Sequence, residues 1–221
     1  MKLFFSALTK YAAGLLLCGG LLFLPAATLA YPGAWLFLAL LFLPMLIMGA
    51  VMLAAAPDLL RKRLDAKEKE GAQRGVVAAA GIVFLAGFIL SALDFRFGWS
   101  RVPLPLVMTA ATLFLLGYAM YAEVMRENAF LSRTVKLQKG QTVISTGLYG
   151  VIRHPMYLAT LLMFLPIPLI LGSFWGLIPF SLYPVAILFR IQNEERVLSA
   201  GLQGYTAYKT KVKYRLIPFI F

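Results

Sequence analysis

The sequence predicts an all-α integral membrane protein with about six transmembrane helices, or five and a tight helical hairpin. Hydrophobic residues make up 61% of its 221 residues, charged residues make up only 14%, and the mean hydropathy is +0.83. An ordinary globular chain has roughly 45–50% apolar and about 25% charged residues. Because so few polar residues cannot cover a water-soluble domain, most of this chain must face lipid.

Apolar stretches define the predicted helices in order. A transmembrane helix needs about 20 apolar residues, and the first four stretches are close to that length. The last two stretches are short, contain four prolines and are separated near Gly172, so we expect a hairpin of bent helices beside a pocket. The six stretches are residues 11–30, 33–56, 76–93, 103–122, 156–171 and 173–191.

The basic residues predict the orientation in the membrane. With a cytoplasmic N-terminus and six crossings, only Arg96 and Arg101 of the 21 Lys and Arg residues lie outside, which leaves 19 inside. We therefore expect a multi-pass protein with both termini in the cytoplasm, located in the inner membrane if the source is bacterial. A cleaved signal peptide ending near Ala30 is an alternative, but Lys10 interrupts its apolar run.

Charge and cysteine content exclude several classes of function. The net charge of +12 is carried between long apolar runs, so it indicates a membrane surface rather than nucleic acid. The single cysteine, Cys18, and the single histidine exclude an intrachain disulfide and make a metal cluster implausible, so no metal is expected. The mixed-charge segment 57–75 is predicted to be an interfacial helix that contacts anionic headgroups.

Polar residues concentrate in two clusters near the end of the chain. The first, residues 138–157, runs into an apolar helix that should begin at Pro155, which lacks an amide donor and has a fixed φ. The second, residues 190–195, ends the last apolar stretch and places Arg190 and Glu194 on one helix face. The intervening hairpin returns both clusters to one side of the membrane, where we expect a cytoplasmic pocket. The chain thus divides into the N-terminal transmembrane helices of residues 1–122 and a catalytic region of residues 123–221.

Four motifs follow one another in this second part of the chain. They are Gly147-x-Tyr149-x-x-x-Arg153-His154-Pro155-x-Tyr157, Arg190-x-x-x-Glu194-Glu195-x-x-Leu198, Tyr205-x-x-Tyr208 and Arg215-Leu216-Ile217-Pro218. In this order they resemble the isoprenylcysteine carboxyl methyltransferase family. That family belongs to a wider group of integral-membrane methyltransferases that includes phospholipid N-methyltransferases. The resemblance covers residues 134–221.

The resemblance implies an S-adenosylmethionine-dependent methyltransferase that acts on the carboxylate of a lipidic, prenylcysteine-like substrate. It implies that Arg190 positions this carboxylate and that Arg190 and Glu194 are the catalytic residues. Lipidic or prenylated substrates and membrane lipids are the expected partners, and nucleic acid is not. The implied cofactor contacts are Gln138, Gln141, Thr142, Val143, Ile144, Tyr149, His154, Pro155, Met156, Tyr157 and Glu194.

The chemistry of methyl transfer agrees with these residue types, although other functions stay open. Transfer requires that donor and acceptor are held in line without water, and it requires neither a metal nor a covalent enzyme intermediate. An arginine can hold a carboxylate with two hydrogen bonds, and tyrosine faces suit a sulfonium cation. Three alternatives are methylation of a lipid amine, an NADPH-dependent sterol-type reductase with more spans, and a non-catalytic module that binds acidic lipid.

Overall fold

The computed structural model describes residues 1–64, 71–131 and 137–221. Within these ranges the chain forms helices and no strand, which confirms the predicted all-α class. Four helices are long and apolar enough to cross a bilayer, so the prediction of a multi-pass membrane protein is also confirmed. The first five helices are α1 (Lys2–Ala26), α2 (Pro32–Ala55), the short α3 (Pro57–Leu64), α4 (Gly71–Phe97) and α5 (Leu104–Glu127).

The first helix begins earlier than the predicted stretch of residues 11–30. Lys10 lies inside α1, and its ammonium group donates a hydrogen bond to the carbonyl of Leu64 at the end of α3. A long side chain can carry its charge to the membrane interface, so one lysine does not interrupt a transmembrane helix. Part of the predicted interfacial segment forms the helix α3, whereas residues 65–70 lie outside the described residues, and its location at the membrane interface stays a prediction.

The fifth and sixth apolar stretches form the predicted hairpin, which consists of three short helices and one helix of 19 residues. Prolines remove amide donors and restrict the residues before them, which breaks each limb into pieces. The first limb packs against α5 at Gly117, where an added Cβ would lie 2.8 Å from Met163 Cγ and 2.9 Å from the carbonyl oxygen of Ala159. The pieces are α6 (Pro155–Phe164), α7 (Ile167–Ile170), α8 (Leu177–Phe180) and α9 (Tyr183–Gly201).

Buried polar groups fix the turn of this hairpin at the end of the bundle away from the two polar clusters. The fully buried carboxylate of Asp94 accepts hydrogen bonds from the amide of Ser100, at 2.7 Å, and from the hydroxyls of Ser100 and Ser173. The Tyr31 hydroxyl donates to the carbonyl of Leu171 at 2.7 Å. Because buried polar groups are costly unless paired, these bonds hold the turn in one position.

The last helix, α10 (Tyr205–Lys211), and the tail after it fold back onto the start of α6. The amides of Arg153 and His154 donate to the carbonyls of Tyr214 and Arg215, each at 2.9 Å. The Arg153 guanidinium also donates to the carbonyls of Val212 and Lys213, each at 2.7 Å. The tail therefore closes one side of the region in which the two polar clusters meet.

Candidate functional site

The site begins with a turn that depends on glycine. Residues Gly147–Gly150 form a single 3-10 turn after residues 141–145, which have no regular secondary structure. Gly147 has φ +47°, and a Cβ there would lie 2.2 Å from Glu127 Oε1, so no other residue fits without movement. α6 starts at Pro155 as predicted, with His154 at the N-cap position. The His154 side chain does not cap the helix and is free to contact α9 instead.

A cavity lies between the end of α5, residues 141–144, the start of α6, the end of α9, and α10. Its walls combine aromatic faces with a few polar groups, an arrangement typical of small-molecule sites. The structure brings together nine of the eleven predicted cofactor contacts as lining residues. They are Gln141, Thr142, Val143, Ile144, Tyr149, His154, Met156, Tyr157 and Glu194. Their role as cofactor contacts stays a prediction.

The two other predicted contacts, Gln138 and Pro155, do not line the cavity. The main-chain N–H of Gln138 donates to Gln141 Oε1 at 2.9 Å, and the side-chain amide of Gln138 donates to the carbonyl of Phe130. Gln138 therefore braces the loop that carries the lining residues. Pro155 is buried at the first position of α6 and sets the direction in which that helix leaves the turn.

Sequence reasoning missed several lining residues because they lie outside the two polar clusters at residues 138–157 and 190–195. Asn128 donates to the Tyr149 hydroxyl at 2.9 Å and thereby orients a predicted contact. Tyr205 belongs to a motif quoted above but had no assigned role. Its hydroxyl is buried and has no hydrogen-bond partner among the described residues. Burial raises the Tyr205 pKa, with smaller contributions from Glu195 and Glu194, so this phenol stays protonated and can donate to a ligand.

Tyr157 joins the two predicted catalytic residues. Its hydroxyl donates to Glu194 Oε2 and accepts a hydrogen bond from Arg190 Nε at 3.0 Å. The guanidinium carbon lies 5.9 Å from the centre of the Tyr157 ring. Glu194 and Tyr157 line the cavity, whereas Arg190 lies just outside it, toward the apolar part of α9. The predicted proximity of Arg190 and Glu194 is present, with a tyrosine hydroxyl between them.

Glu195 faces away from Glu194 and ties three segments together. Its carboxylate accepts hydrogen bonds from Arg153 Nε at 2.7 Å, His154 Nε2 at 3.2 Å and Arg215 Nε at 3.2 Å. Burial alone would raise the pKa of Glu195, but the hydrogen bonds from His154 and Arg153 outweigh it and hold the pKa at about 2. Because a carboxylate can only accept, His154 Nε2 carries a proton, and Nδ1 is the atom on the side of Glu194, 3.9 Å from Oε2.

Comparison with known proteins identifies relatives in both sequence and fold. Residues 106–203, which contain both polar clusters, match the family model described as phospholipid methyltransferase. The fold is similar to a solved structure, determined without a monobody, of the eukaryotic intramembrane Ras methyltransferase isoprenylcysteine carboxyl methyltransferase. That similarity has a TM-score of 0.59 and 19% sequence identity, and it covers 97% of this chain and 77% of that chain. A search of curated protein sequences finds no match.

These findings confirm the predicted resemblance, and they support the predicted function because the family model and the solved structure both describe methyltransferases. The family match reaches α5 but ends before Tyr205, so α10 and the tail lie beyond it. The similarity in fold extends over the N-terminal helices as well, which the sequence motifs did not cover.

Proposed function

We propose that this chain transfers a methyl group from S-adenosylmethionine to the carboxylate of a lipidic acceptor at the cytoplasmic face of a membrane. The observation that carries the proposal is the position of Tyr157. This residue borders the cavity that contains Glu194, and its hydroxyl is bonded on the other side to Arg190. A donor in the cavity and an acceptor held by Arg190 would therefore meet at one side chain.

The residues of the cavity fit S-adenosylmethionine by their chemistry. The Tyr205 hydroxyl, which has no partner within the described part of the chain, and the Glu194 carboxylate offer hydrogen bonds to hydroxyl and ammonium groups. Among the described residues, the amides of Thr142, Val143 and Ile144 donate to no other main-chain group, so they can donate hydrogen bonds to a ligand. When bound, the cofactor supplies an activated methyl group on a sulfonium centre, next to which the faces of aromatic residues are favourable.

Arg190 suits the acceptor by its charge and by its depth. It is partly buried, directly follows Phe189 and lies five residues after Val185; these two residues are 60% and 47% exposed on the outer surface of α9. The planar guanidinium of an arginine can hold a carboxylate with two hydrogen bonds. A lipid that enters sideways would present its polar end at this depth.

Methylation of a lipid amine is the second candidate, and the match to phospholipid methyltransferases favours it specifically. An ammonium acceptor must lose a proton before it can attack the methyl group. Glu194 and His154 both line the cavity and would be the groups that accept this proton. The two candidates therefore share the donor site and differ in what Arg190 contributes.

The experiment uses the full chain in lipid nanodiscs with methyl-labelled S-adenosylmethionine. The acceptors compared are an S-prenylated cysteine derivative with a free carboxylate, a fatty acid, and phosphatidylethanolamine. We expect a labelled product from the prenylated carboxylate, and this label should be released by alkali because it is a methyl ester. An alkali-stable label on phosphatidylethanolamine would instead assign the amine reaction. NADPH binding with no methyl transfer would contradict both.

Two substitutions test the cofactor site directly by titration of S-adenosylmethionine. Glu194→Ala should weaken binding by about 1.5–3 kcal/mol, the range for a hydrogen bond that involves a charged group. Tyr205→Phe keeps the ring and removes only the hydroxyl, so it should weaken binding by about 0.5–1.5 kcal/mol. Glu123→Ala, in an exposed ion pair with Arg126, is the matched control and should bind normally. Normal affinity in both site variants would remove the cofactor from this cavity.

A further inference from the structure

A second depression, which we call the basic groove, lies on the other side of α9 from the cavity. Its polar lining consists of Gln192, Glu195, Arg196, Ser199, Lys209 and Arg215. The cavity is lined by Glu194, Val197 and Leu198 of the same helix, so α9 separates the two depressions. Nothing in the methyl-transfer proposal uses the basic groove.

The basic groove has more positive than negative charge. Glu195 Oε2 lies 3.2 Å from Arg215 Nε and 3.8 Å from Lys209 Nζ, while its other oxygen already bonds Arg153. Arg196 is exposed and adds a further cation to the lining. Among the described residues, Glu195 is the only carboxylate in this lining, and it is shared by several cations. Such an excess attracts an anion, and most strongly where water is partly excluded.

The groove is positioned at the depth of the lipid headgroups. Along one face of α9, the exposed apolar residues Val185 and Phe189 are followed by Gln192 and Arg196. The seven helical steps from Phe189 to Arg196 rise by about 10 Å, which carries the helix from hydrocarbon into the headgroup layer.

The tail next to the groove has the composition of an interfacial anchor. Phe219 and Ile220 are 86% and 78% exposed, and they follow Arg215 by only a few residues. Exposed aromatic and aliphatic side chains beside basic residues are typical of segments that lie in the membrane interface. A surface of this kind contacts acyl chains and headgroups together, so the anion that it meets is a lipid phosphate.

We propose that the basic groove binds the phosphate of an anionic phospholipid headgroup. This goes beyond methyl transfer and does not depend on it. The bound lipid would also stabilise a wall of the cavity, because Lys209 belongs to α10, which carries Tyr205 and Tyr208. Arg215 belongs to the tail segment whose carbonyl accepts the His154 amide.

The experiment measures lipid binding to the purified full chain in neutral detergent. Phosphatidylglycerol and phosphatidylcholine are titrated separately, and retained lipid is counted by native mass spectrometry. We expect one tightly retained phosphatidylglycerol and weaker retention of phosphatidylcholine. Each basic residue near an anionic lipid contributes about fivefold in affinity. Arg196→Gln should therefore weaken the binding of phosphatidylglycerol about fivefold, and the double variant Arg196→Gln with Lys209→Gln should weaken it about 30-fold. The single variant changes only an exposed side chain and should fold normally.

Lys211→Gln with Lys213→Gln is the matched control, since both lysines are exposed, lie in the same segment and line neither depression. We expect it to weaken the binding of phosphatidylglycerol by less than about threefold, the change that general surface charge would give. Phosphatidylglycerol should raise the melting temperature of the native chain and of this control, but not that of Arg196→Gln with Lys209→Gln. Equal losses of phosphatidylglycerol affinity in the two double variants would overturn the proposal. Equal retention of phosphatidylcholine, or full displacement of the lipid by millimolar inorganic phosphate, would overturn it too.

Discussion

Replacement of Glu195 by glutamine tests whether this carboxylate holds the site together. Glu195 is 4% exposed and accepts from Arg153, His154 and Arg215, which belong to the motif turn and to the tail. Glu195→Gln keeps the size of the side chain and removes its charge. The Arg153 guanidinium, whose side chain is only 6% exposed, would then be buried without an anion.

The expected loss follows from what remains around Arg153. Removal of one partner of a buried ion pair typically costs about 3–5 kcal/mol, because it leaves an uncompensated charge. Arg153 keeps its bonds to the carbonyls of Val212 and Lys213, and the new amide oxygen can still accept one bond. We therefore expect the lower end, about 3 kcal/mol, which corresponds to a fall of about 6–12 °C in melting temperature on the scale of globular chains of this size.

The assay is thermal unfolding of the purified protein in detergent, followed by loss of monodispersity. Glu194→Gln is the neighbouring control, since Glu194 is 27% exposed and faces the cavity, so it should melt close to the native chain. Glu123→Gln controls for the loss of an exposed ion pair. A melting temperature for Glu195→Gln within about 1 °C of the native value would refute the argument from buried charge, as would a larger loss in Glu194→Gln.

Four further outcomes are expected. The pKa of Glu195 is lowered from its ordinary value of 4.5 to about 2, so the stability that its charge contributes is present above pH 4.5 and is lost as the pH falls from there through about 2. Glu195→Gln should therefore show no loss of stability from this group when its acid unfolding is measured. Arg190→Lys keeps the charge but loses the planar fork, so turnover of a carboxylate acceptor should fall while S-adenosylmethionine affinity, measured by calorimetry, stays unchanged; full activity would exclude bidentate positioning. Gly117→Ala should destabilise the α5–α6 contact by about 1–3 kcal/mol in thermal unfolding, whereas Gly81→Ala, which meets nothing within 4 Å, should be neutral or stabilising. Ser199→Cys in a cysteine-free background should react with an impermeant thiol reagent added to inverted vesicles, whose cytoplasmic face is exposed to the reagent. Reaction in intact cells, where only the opposite face is exposed, would contradict the proposed orientation.

The fold class could be predicted because lipid leaves little choice. A chain with this much apolar surface and this few charges must satisfy its backbone within helices, so hydropathy alone gives the long spans. Local chemistry also predicted the start of α6 at Pro155 and a hairpin broken by prolines. Hydropathy placed the start of α1 too late, because it treats Lys10 as a break, whereas the structure satisfies that charge with a carbonyl of α3.

The sequence by itself determined which segments form the candidate site, and the tertiary structure decided which face of each segment belongs to it. Glu194 and Glu195 are neighbours in the chain, but a helix turns by about 100° per residue, so one lines the cavity and the other bonds Arg153 and the tail. Tyr205 became a candidate contact only when α10 folded over the cavity and left its hydroxyl without a partner among the described residues. Motif spacing cannot supply these distinctions, because they depend on how elements distant in the chain pack together.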